Sequence, residues 1–435
     1  MKDAGEGKPV PQRFLNQEIA EGARGHRERI EESARAQIQR HLEAMKALDH
    51  PAAMEYFYGH ADPSQRAEEL RAFKESGGKV VGSLCYFAPA EVPAAFGAVP
   101  VRLCSGMYEA VHPANDLLGD AGLCPLVKST LGLKMSGASK LMELCDLLIV
   151  PTPCDAKLKL GEILQDMTEV HMMNLPAVKT TEAGRAAWVE EIRGLVRRLE
   201  AKFCTRLKPQ RLKSAIQTYQ RGQAAWRLFT EARKGGGIWG RDALLAAQLS
   251  FHDDMPRWTE NVERLASELG GRRPVAPEAA RVMLGGSPII WPNWKVPLLI
   301  EESGGMIIAD ELCSGSRTMH DAVVVEEWTL DGMLTALADR YLMPCTCPSF
   351  TPNLEREQNL LRRLRDFGAE GVVFHVLRGC HLNSLDATKA DRMLRREHIP
   401  MLKVESEYDE GDLEQVRTRI EAFMEMLKAR REMRG

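Results

Sequence analysis

After Gly77-Gly78 the chain changes its period. Short runs of β-branched and aliphatic residues, each closed by a turn, begin to alternate with helical stretches, and this alternation confines the chain to the α/β class. Parallel strands need a crossover of a dozen or more residues, which the helical stretches supply. The predicted strands are 79–84, 99–103, 146–150, 306–309, 371–377 and 400–404, with 282–286 as the first strand and loop of a second unit. Their continuous apolar character predicts burial on both faces. The expected organisation is a helical N-terminal arm at 1–76, a first α/β domain at 77–210, a helical connector at 211–280 and a second α/β domain at 281–435. No internal repeat of fixed period is visible, which leaves open whether the two α/β units share one architecture.

Composition matters chiefly for what it excludes. Lys and Arg number 58 against 61 Asp and Glu, a net charge of −3, so the chain advertises no basic face and nucleic acid is not an expected partner. No apolar run approaches the roughly 18 to 20 residues of a membrane span. Residues 1–12 are polar with two prolines, unlike a secretory leader, and the expected location is the cytoplasm.

Ten cysteines are many for a cytoplasmic chain, where disulfides are rare and a thiol is packing, nucleophile or metal ligand. Their positions are regular. Cys85, Cys104, Cys154, Cys313 and Cys380 each follow a predicted strand, and strand C-terminal ends are where open parallel sheets bind ligands. Cys124, before Pro125, and Cys345, in Pro344-Cys345-Thr346-Cys347-Pro348, are further loop thiols. A single cysteine beside a strand is often a small buried hydrophobe; five in equivalent places point instead to a shared ligand. Cys145 and Cys204 lack that placement and are assigned to packing, while Cys104 and Cys347 remain open. Thiolates from separated loops, with few histidines nearby, suit an iron–sulfur cluster better than one zinc ion.

Other chemistries find no support. The chain has no Gly-x4-Gly-Lys-Ser/Thr phosphate loop, so any ATP would be hydrolysed by another protein. Lys234-Gly235-Gly236-Gly237 and Ser303-Gly304-Gly305 read as helix ends. His112, His171, His320, His375 and His381 lack the His-Glu-x-x-His spacing of a zinc hydrolase, and Ser314-Gly315-Ser316 is no nucleophile elbow.

A family resemblance runs through the same segments: Gly82-Ser83-Leu84-Cys85, Cys124-Pro125-Leu126-Val127-Lys128, Val150-Pro151-Thr152-Pro153-Cys154-Asp155, Asp310-Glu311-Leu312-Cys313-Ser314-Gly315-Ser316-Arg317, Pro344-Cys345 and Arg378-Gly379-Cys380. In this order they resemble the 2-hydroxyacyl-CoA dehydratase component D and benzoyl-CoA reductase family, whose relatives include the double-cubane cluster proteins. The resemblance implies Rossmann-like or flavodoxin-like domains with an iron–sulfur centre between them. It implies electrons from a separate dimeric activator ATPase that carries a [4Fe-4S] cluster, and a homodimer or a heterodimer with a homologous subunit. It implies an acyl-CoA thioester substrate, dehydrated through a ketyl radical or reduced in an aromatic ring. Cys85, Cys124, Cys154, Cys313, Cys345 and Cys380 are then the expected ligands, of a [4Fe-4S] cluster or of a double-cubane [8Fe-9S] cluster. Three-ligand dehydratase subunits would use Cys85, Cys124 and Cys380 first. Two rival readings remain: an electron-transfer subunit without catalysis of its own, and a plain α/β protein with buried thiols.

Overall fold

The computed structural model describes residues 14–119 and 121–433, so the polar stretch 1–12 lies outside the described residues. The arm consists of helices Gln17–Gly25, Arg27–Lys46, Met54–Gly59 and Pro63–Glu75. Local chemistry sets their starts: the Asn16 side chain accepts from the Ile19 N–H, and Asp62 accepts from Ser64 ahead of Pro63, whose fixed φ suits a first helical turn.

Two four-stranded parallel sheets follow. The first contains β1 (Lys79–Ser83), β2 (Ala98–Arg102), β3 (Leu147–Pro151) and β4 (Val170–Met173), in the order β2-β1-β3-β4. The second contains β5 (Ala280–Gly286), β6 (Gly305–Asp310), β7 (Gly371–Leu377) and β8 (Met401–Ser406), in the order β6-β5-β7-β8. The two units therefore share one topology. Every residue of β3, β6 and β7 is buried, which explains their unbroken apolar runs. The predicted strands fall on observed ones to within a residue or two, but β4 was not predicted. It is an edge strand of four residues containing one β-branched residue, and only its pairing with β3 (Leu148 opposite Val170) makes it a strand.

Between the sheets run helices Glu182–Phe203, Pro209–Ala232, Gly240–Leu249 and Met255–Leu269. Trp226 and Trp258, both buried, stack across two of them with ring centroids 6.0 Å apart. Cys204 corrects an expectation. It does not pack inside a charged helix but ends the helix Glu182–Phe203, exposed, with φ +47°. The short Lys-Gly-Gly-Gly stretch is a helix end as expected: Pro209–Ala232 stops there and Gly236 takes φ +74°.

One crossing decides where the site lies. Helix Leu330–Leu342 belongs to the segment after β6, yet Met333, Leu337 and Leu342 pack in one core with Val81 and Ile149 of the first sheet and Trp188 of the connector. The loop that follows it is thereby delivered to the first sheet. Among the described residues, no helix is long and apolar enough to cross a membrane.

Candidate functional site

In each sheet the chain leaves the first strand in one direction and later returns to its other side, so the C-terminal ends of β1 and β3, and of β5 and β7, frame a topological switch point. Connections diverge there and leave a crevice. Cys85 lies two residues past β1, Cys154 three past β3 and Cys380 three past β7.

The predicted thiols sort into two sets by which of them feel one another's charge. Cys124, Cys154 and Cys380 form the first. Burial pushes the Cys124 thiol up to about 12, and the charges of Cys380 and Cys154 add to that rise. The Cys154 thiol is raised by burial, with a contribution from Cys380. Each of these residues is the N-cap of a helix: Cys124 of Pro125–Ser136, Cys154 of Asp155–Leu164 and Cys380 of His381–Arg396. Three positive helix ends thus converge on one set of sulfurs, an arrangement that favours bound negative charge. Close backbone approach brings the two units together here. Gly379 has φ +77°, and a Cβ on it would stand 2.7 Å from the Gly122 carbonyl oxygen and 3.1 Å from the Cys124 nitrogen. Asn383 donates to the Cys380 sulfur at 3.2 Å.

Cys85, Cys313 and Cys345 form the second group, with Cys347 beside them. Burial raises Cys85 to about 12, assisted by the charge of Cys313. Burial likewise raises Cys345 to about 12, assisted by Cys347 and Cys313 and opposed by the Arg317 guanidinium. Cys347 is raised by burial and by Cys313, again against Arg317. Arg102 Nη1 donates to the Cys313 carbonyl at 2.9 Å, and Lys179 Nζ donates to the Cys345 carbonyl at 2.9 Å, holding the loop after helix Leu330–Leu342 in place. Cys124 is thus influenced by Cys380, and Cys85 by Cys313.

Lys157 connects the groups. Its buried ammonium donates to the Leu84 carbonyl at 2.9 Å, and its charge lowers the thiols of Cys85, Cys124 and Cys154 together. Cys104, left open by the sequence, also donates to the Leu84 carbonyl, at 3.4 Å. Cys145 lies in the packing of the first unit with its thiol on the Leu141 carbonyl at 3.3 Å.

The candidate donors are thiols, the soft ligand type that iron–sulfur clusters use. Among the described residues, no three His, Cys, Asp or Glu side chains come close enough to hold one metal ion.

A family model described as 2-hydroxyglutaryl-CoA dehydratase, D-component, matches residues 85–427. The chain belongs to the 2-hydroxyglutaryl-CoA dehydratase D-component family. The match starts at Cys85 itself and encloses all the thiols of both groups. Among relatives, a protein of Escherichia coli (strain K12), provisionally described as the dehydratase subunit YjiM, is 32% identical over 365 residues, covering 81% of this chain and 93% of its own. The (R)-2-hydroxyglutaryl-CoA dehydratase subunit beta of Acidaminococcus fermentans is 24% identical, covering 82% of this chain and 95% of its own. The (R)-phenyllactyl-CoA dehydratase beta subunit of Clostridium sporogenes is 21% identical, covering 82% and 94%.

Within this member of the D-component family, sequence reasoning missed three cations. Arg317 stood inside a quoted motif without a role, and Arg102 closes β2. Lys157 had a usable signal, because three residues after an N-cap places a side chain on the same helix face as the cap.

Proposed function

We propose that the two thiol groups hold an iron–sulfur centre, and that the chain is the iron–sulfur component of an ATP-dependent dehydratase or reductase acting on an acyl-CoA thioester. The observation that supports the reading is that thiols from both units act on one another's charge in two sets, Cys124 and Cys154 with Cys380, and Cys85 and Cys345 with Cys313. Membership of a dehydratase-component family supports an enzyme of the lyase type, and relatives named as beta subunits support a partner subunit. Electrons would come from the separate activator ATPase, since the chain has no phosphate loop.

When bound, the centre would supply one electron at a time at low potential. The chain's own residues hold it and set its electrostatics. Cys124, Cys154 and Cys380 offer sulfur at three helix N-termini, and Cys85, Cys313 and Cys345 offer it from loops of both units. Lys157, Arg102 and Arg317 place positive charge beside those sulfurs, which opposes the desolvation of an anionic cluster and raises its potential relative to an uncharged shell.

The three-plus-three division favours a second form of the same reading, in which each group holds one cubane of an [8Fe-9S] double cluster and the substrate is a small molecule. Anaerobic purification followed by iron and sulfide analysis, with electron paramagnetic resonance of the reduced protein, separates them: about four irons per chain support one cubane and about eight support two, by cluster stoichiometry. A folded, stable chain that takes up no iron anaerobically would overturn both and leave a plain α/β protein with buried thiols. Turnover by the lone chain with an activator would exclude the non-catalytic subunit reading.

A further inference from the structure

Beside Cys85 lies a small cavity of about 60 Å³. Several parts of the chain enclose it: the ends of β1 and β2 supply Cys85, Tyr86 and Arg102, helix Pro209–Ala232 supplies Gln223, helix Leu330–Leu342 supplies Arg340, and the segments at Phe251 and Thr318 complete the wall. Its polar groups are unusual in having nothing to bind. Gln223 is fully buried, and neither its amide oxygen nor its amide nitrogen has a hydrogen-bond partner. Tyr86 Oη, Arg102 Nε and Arg340 Nη1 are also buried and unpartnered. Buried polar groups are nearly always satisfied, so four such side chains around one cavity mark a place where a ligand or water completes the bonding.

The charge narrows what that ligand is. Arg102 donates to the Cys313 carbonyl at 2.9 Å and Thr318 Oγ1 at 3.3 Å, and Arg340 donates to the Asp321 carbonyl at 3.1 Å and the Thr318 carbonyl at 2.9 Å. All four acceptors are neutral, and Arg102 also hydrogen-bonds Cys104 and feels the charges of the Cys104, Cys313 and Cys85 thiols. The acids whose charge reaches Arg340 are Glu91 and Asp321. Glu91 accepts from Tyr341 Oη at 2.7 Å, and Asp321 pairs with His320 at 3.0 Å. Two guanidiniums in a water-poor crevice attract an anion, with the Glu91 carboxylate, whose Oε1 is itself unpartnered, offsetting part of the charge on Arg340. The volume sets its size: at ~15 Å³ per water the cavity has room for roughly four waters, far too little for a coenzyme A moiety.

We propose that this cavity binds a small monoanion, a carboxylate or an oxyanion of comparable size, between Gln223, Tyr86 and the guanidiniums of Arg102 and Arg340. The Gln223 amide nitrogen, Tyr86 Oη and the two free guanidinium N–H groups donate to the ligand's oxygens, and the Gln223 oxygen accepts from a water or a hydroxyl of the same ligand. The proposal deepens the thiol-site reading and rests on it for the chemistry done on the ligand, though not for the binding.

The test is calorimetric titration of the anaerobically purified chain with acetate and with acetamide, its neutral isostere, alongside iron analysis of the same sample. Saturable acetate binding, at least tenfold weaker for acetamide, is expected. Gln223→Leu should weaken acetate at least tenfold while keeping its iron content, and its melting temperature should not fall, because it removes two unpartnered buried atoms; Gln223→Met serves if the leucine variant does not fold. Equal binding of acetate and acetamide, no binding of either, or unaltered acetate affinity in the Gln223 variant would overturn the proposal. Acetate selectivity in a chain that holds no iron would uphold the cavity assignment while removing the cluster reading.

Discussion

Ten thiols of one element differ here only by surroundings, and those surroundings sort them. Cys204 is exposed at a helix end, whereas Cys345 is buried with its thiol raised to about 12. In the metal-free protein at neutral pH, alkylation followed by mass spectrometry should therefore modify Cys204 well before Cys345, because the thiolate is the reacting form and must be reached by reagent. Cys154→Ser and Cys380→Ser are each expected to lower iron per chain, and Cys204→Ser to leave it unchanged; equal iron in all three variants would refute the ligand assignment. Lys157 belongs to the same scale. Its ammonium faces both groups, so Lys157→Met should move the reduction potential of the bound centre to more negative values by on the order of 1 kcal/mol, a few tens of millivolts for one electron. A redox titration followed by electron paramagnetic resonance reads this shift, and an unmoved potential would place Lys157 in a purely structural role.

At the scale of elements, strands aim the site and helices charge it. The loop after β7 brings its thiol to the loop before helix Pro125–Ser136 only because Gly379 has no side chain to stand in the way. Gly379→Ala would carry a Cβ in a left-handed conformation, costing about 1–2 kcal/mol, and would press on the Gly122 carbonyl. We expect a lower denaturation midpoint together with reduced iron, read by chemical denaturation and metal analysis; a destabilised variant with full iron would show that the contact is not what positions Cys124 and Cys380. The strand pattern was legible wherever both faces are buried, as in β3, β6 and β7, since continuous apolar runs leave a signal in the sequence. The edge strand β4 left none, because its pairing is with a neighbour and not with its own composition.

Across the whole molecule, buried neutral histidines make folding sensitive to acid. His41 and His375, both buried, have their pKa lowered from 6.5 to about 4, chiefly by desolvation. The unfolded chain therefore binds more protons than the folded one between those values. The stability these two sites protect is fully present above pH 6.5 and is lost as pH falls toward 4, by up to about 1.4 kcal/mol per pH unit for each. The denaturant midpoint should be lower at pH 5.5 than at pH 7.5, and replacing both residues with glutamine should lessen the dependence, the rest coming from His171 and His252, also lowered to about 4 by desolvation.

Local order was already present in the chain: the alternation of buried strands with helices, the strand-end position of five thiols and the motif series all depend on residues close together in sequence. Their association was not. Cys85, Cys313 and Cys345 share one core because helix Leu330–Leu342 docks against the first sheet, and Cys380 comes beside Cys124 through the close backbone approach at Gly379. Which thiols pair, which cations stand between them and where unpartnered Gln223 faces a cavity are set by packing between segments hundreds of residues apart, and side-chain complementarity at that distance leaves no periodic trace.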